Sequence, residues 1–240
     1  MKLQCYMVVM GDPIYYECAH FAVSSFCSNN PNSELIVFTD EQFKPMNYDN
    51  LTILKYNECA IKNNFKVNEV YARPFQNFDK VHNHTYIQNI FAMMADNGYA
   101  DFLCKLDADM YFVGPVIKDL EAELTYHDLY LIKRQHSMMK LYRGDPGVGV
   151  TVFRREGEFL EKYIELAEKT SSYEQDLVLD LRQHLMYKEI PNQNLHIVYL
   201  HVKNPFITKD QIDLHFPGNK IIHCNTLEQL KQMEHFYGTH

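Results

Sequence analysis

Two aspartates separated by a single residue are the part of this sequence whose types and spacing are most able to do chemistry. Asp107 and Asp109 lie within an apolar segment, 101–112, that predicts a strand. Side chains two positions apart in a strand point the same way, so the carboxylates would repel each other and raise one pKa. A divalent cation removes that conflict, and Mg²⁺ or Mn²⁺ prefers oxygen ligands that it commonly bridges to substrate phosphates. We predict a Mn²⁺ or Mg²⁺ site here, with a solvated strand end as the alternative.

Other acids occupy positions that suit either a binding role or a local structural one. Asp12 precedes Pro13, a pair typical of a helix N-cap and first turn. Asp145 lies in the glycine-rich turn 144–149, where it would bind a sugar hydroxyl or form an Asx-turn. Asp176 lies in the first turn of a predicted helix, where the helix dipole keeps a carboxylate ionised.

The elements that must position these residues alternate between strand and helix. The apolar run 3–10 predicts a buried strand, the apolar face recurring from 14 to 26 predicts a helix, and 34–40 predicts a second strand. Because β-α-β alternation gives parallel neighbours, we predict an α/β fold with a mainly parallel central sheet flanked by helices on both faces.

Later segments continue this alternation. Further strands are predicted at 51–56, 128–133, 150–153, 195–200 and 220–224. Further helices are predicted at 78–95 and 156–169. Two more helices are predicted, one beginning with a Ser171–Glu174 capping box and one with a cap formed by Thr226 and Gln229. No repeat, low-complexity stretch or linker interrupts the chain, so we predict a single domain over residues 1–240.

Composition and charge exclude several classes of protein. Hydrophobic residues make up 46% of the 240 residues and charged residues 22%, as in ordinary soluble globular proteins. A net charge of −8 argues against a nucleic-acid binder, which needs clustered Lys and Arg. The sequence has no signal-peptide pattern, no apolar run near the roughly 20 residues that span a bilayer, and six scattered cysteines. We therefore expect a cytoplasmic protein with reduced thiols and no integral membrane segment.

The segment LDADMYF after an amphipathic helix, in a β-α-β chain of this length, resembles glycosyltransferases of the GT-A fold. Three further segments match in the expected order. Val37-Phe38-Thr39-Asp40 is similar to the strand end that faces the nucleoside, and Gly147-Val148-Gly149-Val150 resembles the strand opening near the donor sugar. Glu174-Gln175-Asp176 resembles the acidic helix start beneath that sugar. The pattern is closest to the glycogenin-like, retaining group.

This resemblance implies a metal-dependent enzyme that transfers a hexosyl group from a nucleoside diphosphate sugar, with UDP as the expected nucleotide, to a hydroxyl of a glycan or glycoprotein. The metal would act as a Lewis acid on the leaving diphosphate. Asp176 and Asp145 are the candidate catalytic residues, the two acidic residues that could act as the base of an inverting enzyme. Asp176 would alternatively hold the donor sugar or stabilise an oxocarbenium-like centre. Lys80 would reach the donor pyrophosphate or be a solvated lysine at a helix start. The full set of candidate donor-binding residues is Met10, Asp12, Thr39, Asp40, Lys80, Asp107, Ala108, Gly147, Gly218 and Lys220.

The resemblance also implies a histidine that completes the metal shell, and two histidines are candidates. His215 opens a segment, His215-Phe216-Pro217-Gly218-Asn219-Lys220, that resembles the family pattern H-F-x-G-x-x-K. In that pattern Gly218 would let the phosphate approach and Lys220 would offset its charge. His223 instead ends a predicted strand, and a ligand is expected where sheet residues meet the cleft. Both remain candidates, and the strand geometry slightly favours His223.

Three other functions fit parts of the pattern. A sugar-nucleotide nucleotidyltransferase would need a basic, glycine-rich loop after the first strand, but Met10-Gly11-Asp12-Pro13 contains no Lys or Arg. A haloacid-dehalogenase-like phosphatase places its D-x-D near the N-terminus with Thr or Val following, whereas Tyr111 follows here at mid-chain. A non-catalytic nucleotide-sugar-binding module on the same scaffold would not need both aspartates and a downstream histidine.

Overall fold

The computed structural model describes residues 1–9, 13–39, 43–44, 46–55, 99–133, 147–169, 174–191, 197–200, 208–215 and 217–238. The strands are β1 (Leu3–Val9), β2 (Leu35–Thr39), β3 (Leu51–Lys55), β4 (Phe102–Leu106), β5 (Met110–Phe112), β6 (Leu129–Ile132), β7 (Gly147–Arg154), β8 (Tyr187–Ile190), β9 (Ile197–Tyr199) and β10 (Ile221–His223). The helices are α1 (Pro13–Asn29), α2 (Ile117–Glu123), α3 (Phe159–Lys169), α4 (Glu174–Leu181), α5 (Lys209–His215) and α6 (Leu227–Tyr237). No helix within the described ranges combines the length and apolar character needed to cross a membrane.

Seven strands form the central sheet in the order β3-β2-β1-β4-β7-β6-β8. Strands β3, β2, β1 and β4 run parallel to one another, and β8 runs parallel to β6. Only β7 is antiparallel to its neighbours, β4 and β6, within this sheet. β1 and β2 are buried along nearly their whole length, which explains their continuous apolar sequences. The predicted α/β fold with a mainly parallel sheet is confirmed.

Helices cover both faces of this sheet. On one face α1 and α2 bury Phe26 and Leu120 against the strands. On the other face α3 and α4 bury Tyr163 and Leu177. Fully burying a large apolar side chain contributes about 1.5–3 kcal/mol, so the two cores hold the strand ends in fixed positions.

Three short strands form a second sheet in the order β5-β10-β9. β10 is antiparallel to β5 and parallel to β9. Helix α6 packs against this sheet through Leu230 and Met233. The Thr226 hydroxyl accepts a hydrogen bond from the Gln229 N–H at 3.2 Å, which confirms the predicted helix cap.

The segment 101–112 forms two strands rather than the single predicted strand. β4 ends at Leu106 in the central sheet, and β5 begins at Met110 in the second sheet. The last bond to the central sheet is made by the Asp107 N–H, which donates to the Gly149 carbonyl at 3.0 Å. The prediction that strand alternation aligns Asp107 and Asp109 is therefore wrong, because both residues lie in the connection between two sheets. The predicted helix over 78–95 and the Ser171 cap lie outside the described residues.

Candidate metal centre

The connection between the two sheets lies at the carboxyl end of the parallel strands. Asp107 follows β4 directly, and its neighbour β1 ends at the same edge. On the second sheet, His223 of β10 pairs in register with Met110 of β5. The Cys224 N–H then donates to the Asp109 carbonyl at 2.8 Å, which extends the pairing past the end of β10. This pairing brings a histidine from far along the chain against the two aspartates.

Asp107, Asp109 and His223 form a compact group of three potential metal ligands. His223 Nε2 lies 3.4 Å from Asp107 Oδ2 and 3.4 Å from Asp109 Oδ1. One ligand atom from each residue lies within 4.8 Å of the other two. Two carboxylates and one imidazole provide the oxygen and nitrogen donors that Mn²⁺ and related divalent ions accept.

One oxygen of Asp109 tests whether this group fits a cation. Asp109 Oδ1 is buried and has no hydrogen-bond partner among the described residues. Buried carboxylate oxygens in folded proteins are almost always satisfied, because an unpaired one costs roughly 1–3 kcal/mol or more. The His223 ring nitrogen that approaches this oxygen also approaches Asp107. The donor set and the unsatisfied oxygen therefore fit a divalent cation held among the three side chains.

The two carboxylates differ in their electrostatic surroundings. Burial opposes ionisation of Asp107, but the Lys105 ammonium and the His223 ring outweigh it and hold the pKa of Asp107 well below its ordinary value. Lys105 Nζ donates to Asp107 Oδ1 at 2.8 Å. Burial, aided by the Asp107 charge and opposed by His223, raises the pKa of Asp109 to about 6. Asp109 is therefore the carboxylate whose charge the surrounding protein compensates less fully.

Gly149 of β7 lies directly against this group. A Cβ at this position would lie 2.9 Å from Asp107 Oδ2, 3.0 Å from His223 Cδ2 and 2.7 Å from Met110 Cε. Real Cβ atoms essentially never lie under 3.0 Å from another atom, so a side chain at 149 would force Asp107 and Met110 to shift and would crowd the His223 ring. The resemblance points to the opening of β7, and within it Gly149 contacts the acidic group.

Some predicted donor-binding residues have structural partners near the strand ends. The Thr39 hydroxyl is buried at the end of β2 and donates to the Val9 carbonyl at 2.7 Å, which joins the ends of β1 and β2. Ala108 lies between the two aspartates and packs against the core beneath the sheet. Gly147 begins β7 and faces Ile132 across an irregular register.

Gly218 and Lys220 lie at the end of β10 opposite His223. Gly218 occupies the turn before the strand with a φ of +77°, a backbone conformation that favours glycine. The Lys220 ammonium pairs with the Asp119 carboxylate of α2. The structure therefore does not bring Lys220 to the acidic group, and its predicted contact with the donor phosphate stays a prediction.

The remaining predicted site residues are not open to structural description. Asp176 lies in the first turn of α4 and His215 ends α5, but the structure describes only the backbone at both positions. Of the two candidate histidines, His223 has a described side chain, and its ring reaches the aspartates. Residues predicted for the site that lie outside the described ranges are Met10, Asp12, Asp40, Lys80 and Asp145.

Sequence reasoning missed Lys105 as a member of this site. The signal that identifies it is a lone charged residue in the otherwise apolar strand β4, two positions before Asp107. Strand alternation places Lys105 on the side of the sheet from which its ammonium reaches that carboxylate.

The central sheet, the second sheet and the flanking helices together form the GT-A fold of glycosyltransferases. The chain is similar to mouse xyloside xylosyltransferase 1 in its apo form, with 12% identity and a TM-score of 0.56 over 94% of this chain and 98% of that one. A glycosyltransferase involved in glycosylation of the major capsid of PBCV-1 has 13% identity and a TM-score of 0.55 over 97% and 98% of the two chains.

A third similar structure is the galactosyltransferase LgtC in complex with donor and acceptor sugar analogs. It has 11% identity and a TM-score of 0.55 over 99% of this chain and 97% of that one. No protein-family model and no curated protein matches the sequence. At this level of identity the likeness establishes the fold, and the chemistry must be argued from the site.

Proposed function

We propose that this chain is a metal-dependent glycosyltransferase with a single catalytic domain over residues 1–240. It would move a hexosyl group from a nucleoside diphosphate sugar, with UDP as the expected nucleotide, to a hydroxyl of a glycan or glycoprotein. The proposal includes a role in glycan biosynthesis and a cytoplasmic location. The GT-A fold, shared with structures described as glycosyltransferases, supports the reaction class.

The observation that carries this proposal is the buried oxygen of Asp109 within the Asp107–Asp109–His223 group, which accepts no hydrogen bond from the described residues. The group lies at the carboxyl end of the parallel strands, the edge at which α/β sheets commonly bind ligands. A cation there would be held under the phosphates of a donor that occupies this edge. A purely structural acidic turn gives no reason to bury a carboxylate oxygen without a hydrogen bond.

Each residue of the group has a separate task in this proposal. Asp107, Asp109 and His223 would hold Mn²⁺ or Mg²⁺. The bound ion supplies Lewis-acid stabilisation of the charge that develops on the leaving diphosphate. Gly149 keeps the approach to the ligands free of a side chain, because even a methyl group would contact Asp107 and His223. Asp176 stays the candidate for holding the donor sugar or stabilising an oxocarbenium-like centre.

The remaining predictions for the site belong to the same proposal. Asp145 is the second candidate catalytic residue, and Lys80 and Lys220 are candidates for adding positive charge at the pyrophosphate. The resemblance to the glycogenin-like group implies retention of anomeric configuration, with inversion as the alternative. The stereochemistry of the product, measured by proton NMR during turnover, tests that point separately.

Donor turnover with and without metal tests the proposed function. The purified protein would be incubated with a panel of nucleoside diphosphate sugars in Mn²⁺, in Mg²⁺ and in EDTA, and released nucleoside diphosphate would be quantified. We expect release from one or more donors in Mn²⁺, loss of release in EDTA, and loss in Asp107→Asn. Asp180→Asn, which alters an exposed acid of α4, is the matched control and should keep wild-type turnover.

The alternative functions are distinct outcomes of the same experiment. Metal-dependent binding of a donor without turnover on any acceptor would identify a non-catalytic nucleotide-sugar-binding module. Formation of a sugar nucleotide from a sugar phosphate and a nucleoside triphosphate would identify a nucleotidyltransferase. Absence of both donor binding and turnover, with the protein folded, would refute the proposal.

A further inference from the structure

Lys105 is a partly buried cation in a strand that is otherwise apolar. Its side chain is 12% exposed, and by register it lies between Tyr6 of β1 and Thr151 of β7, both of which are fully buried. Burying a charge is costly unless a counter-charge lies close by. Its position therefore requires an electrostatic partner, and one partner is Asp107.

The two oxygens of the Asp107 carboxylate face different groups. Oδ1 accepts from Lys105 Nζ at 2.8 Å, whereas Oδ2 lies 3.4 Å from His223 Nε2. The bond from Lys105 thus leaves Oδ2 as the oxygen nearest the other candidate ligands. This arrangement favours a single Asp107 oxygen as the ligand to a cation held with Asp109 and His223.

A divalent cation in this group would share the Asp107 carboxylate with the Lys105 ammonium. Two cations on opposite sides of one carboxylate repel each other, and in a partly buried site solvent screens that repulsion only weakly. A bound nucleoside diphosphate would offset this repulsion, because its phosphates add negative charge beside both cations. The net effect of Lys105 therefore depends on whether the nucleotide is present.

We propose that Lys105 is a positioning residue that couples metal binding to nucleotide binding, by weakening the site for the ion alone while leaving it strong for the ion together with a diphosphate. This inference rests on the proposed metal site. It goes further by assigning Lys105 a role in the order of binding. Lys105 acts through Asp107 and is not itself a metal ligand.

Direct measurement of Mn²⁺ affinity tests this role. Lys105→Met removes the charge and keeps an unbranched side chain, and Lys105→Arg keeps the charge. Lys188→Met is the matched control, because Lys188 pairs with Glu123 away from the acidic group. Dissociation constants would be measured from the free-ion EPR signal of Mn²⁺ at constant pH and ionic strength, without and with UDP, alongside thermal unfolding.

We expect Lys105→Met to bind Mn²⁺ alone about tenfold or more tightly than the wild type, which corresponds to about 1.4 kcal/mol. The factor by which UDP strengthens Mn²⁺ binding should fall by a similar amount. Lys105→Arg and Lys188→Met should behave like the wild type in both measurements.

Equal or weaker binding of Mn²⁺ by folded Lys105→Met would overturn the role of Lys105 and leave the metal site standing. If that variant does not fold, Lys105→Gln repeats the measurement, and loss of folding in both would show that Lys105 serves the fold instead. Absence of Mn²⁺ binding in every protein, with and without UDP, would overturn the metal site itself.

Discussion

Asp109 should destabilise the metal-free protein at neutral pH, and a neutral side chain should relieve that cost. The carboxylate is 19% exposed, and its Oδ1 has no hydrogen-bond partner among the described residues. Burial, with the Asp107 charge, raises its pKa from 3.8 to about 6. A difference of this size corresponds to roughly 3 kcal/mol against the ionised form. We expect Asp109→Asn to stabilise the metal-free protein by about 1–3 kcal/mol near neutral pH.

The pH dependence of this effect has a definite sign. In the unfolded chain Asp109 loses its proton near 3.8, whereas in the folded protein it keeps the proton up to about 6. Between these values the folded state binds more protons, so stability falls as pH rises through this window and stays lowered above it. The gain in stability of Asp109→Asn over the wild type should therefore be largest above the folded-state pKa of Asp109. It should disappear near the pKa of Asp109 in the unfolded chain.

Urea denaturation in EDTA across this pH range measures the effect. Asp180→Asn, at an exposed position of α4, is the control and should change stability by no more than about 0.5 kcal/mol. Saturating Mn²⁺ should reverse the order of stabilities, because an ion stabilises only the folded protein that retains its ligands. Lower stability of Asp109→Asn in EDTA at neutral pH, or an advantage that grows toward acid pH, would refute the burial argument.

Other side chains at the site have expected outcomes of their own. Gly149→Ala should cost about 1–3 kcal/mol in thermal denaturation and weaken Mn²⁺ binding through overpacking. Gly114→Ala, whose methyl would meet only an ordinary contact at 3.9 Å, should do neither, and equal effects of the two would contradict the close approach at Gly149. Thr39→Val should lower the free energy of unfolding measured in urea by about 1 kcal/mol, since a buried strand-end carbonyl loses its 2.7 Å bond, and an unchanged free energy would contradict that contribution. His223→Gln should reduce Mn²⁺ affinity about tenfold or more with the fold intact, whereas wild-type affinity would redirect attention to His215.

Much of the fold was open to prediction because its signals are local. The runs at 3–10 and 34–40 have continuous apolar cores without polar alternation, which is typical of strands buried on both faces, and β1 and β2 lie there. The cap at Thr226 is a pattern of four residues, so it could be identified without any knowledge of packing. The two aspartates were identified for a similar reason, since carboxylates beside an apolar run are conspicuous in the sequence alone.

The geometry of the site was less accessible, because it depends on pairing between distant segments. The sequence shows no boundary within 101–112, yet the chain changes sheets there once Met110–Phe112 pairs with β10. That pairing decides which histidine approaches the aspartates, and it turns Lys220 toward Asp119 at the other end of the strand. In the sequence, the position of His223 at the end of a predicted strand favoured it only slightly.

The sequence by itself determined the parallel α/β architecture and the presence of a paired carboxylate, since hydrophobic periodicity and residue type are properties of short segments. Only the tertiary structure decided that His223 joins Asp107 and Asp109, that Gly149 lies against them, and that Lys105 holds one oxygen of the pair. The physical reason is that these contacts depend on two sheets meeting at one edge. Strand pairing across many intervening residues sets that edge, and no periodicity within a segment encodes it.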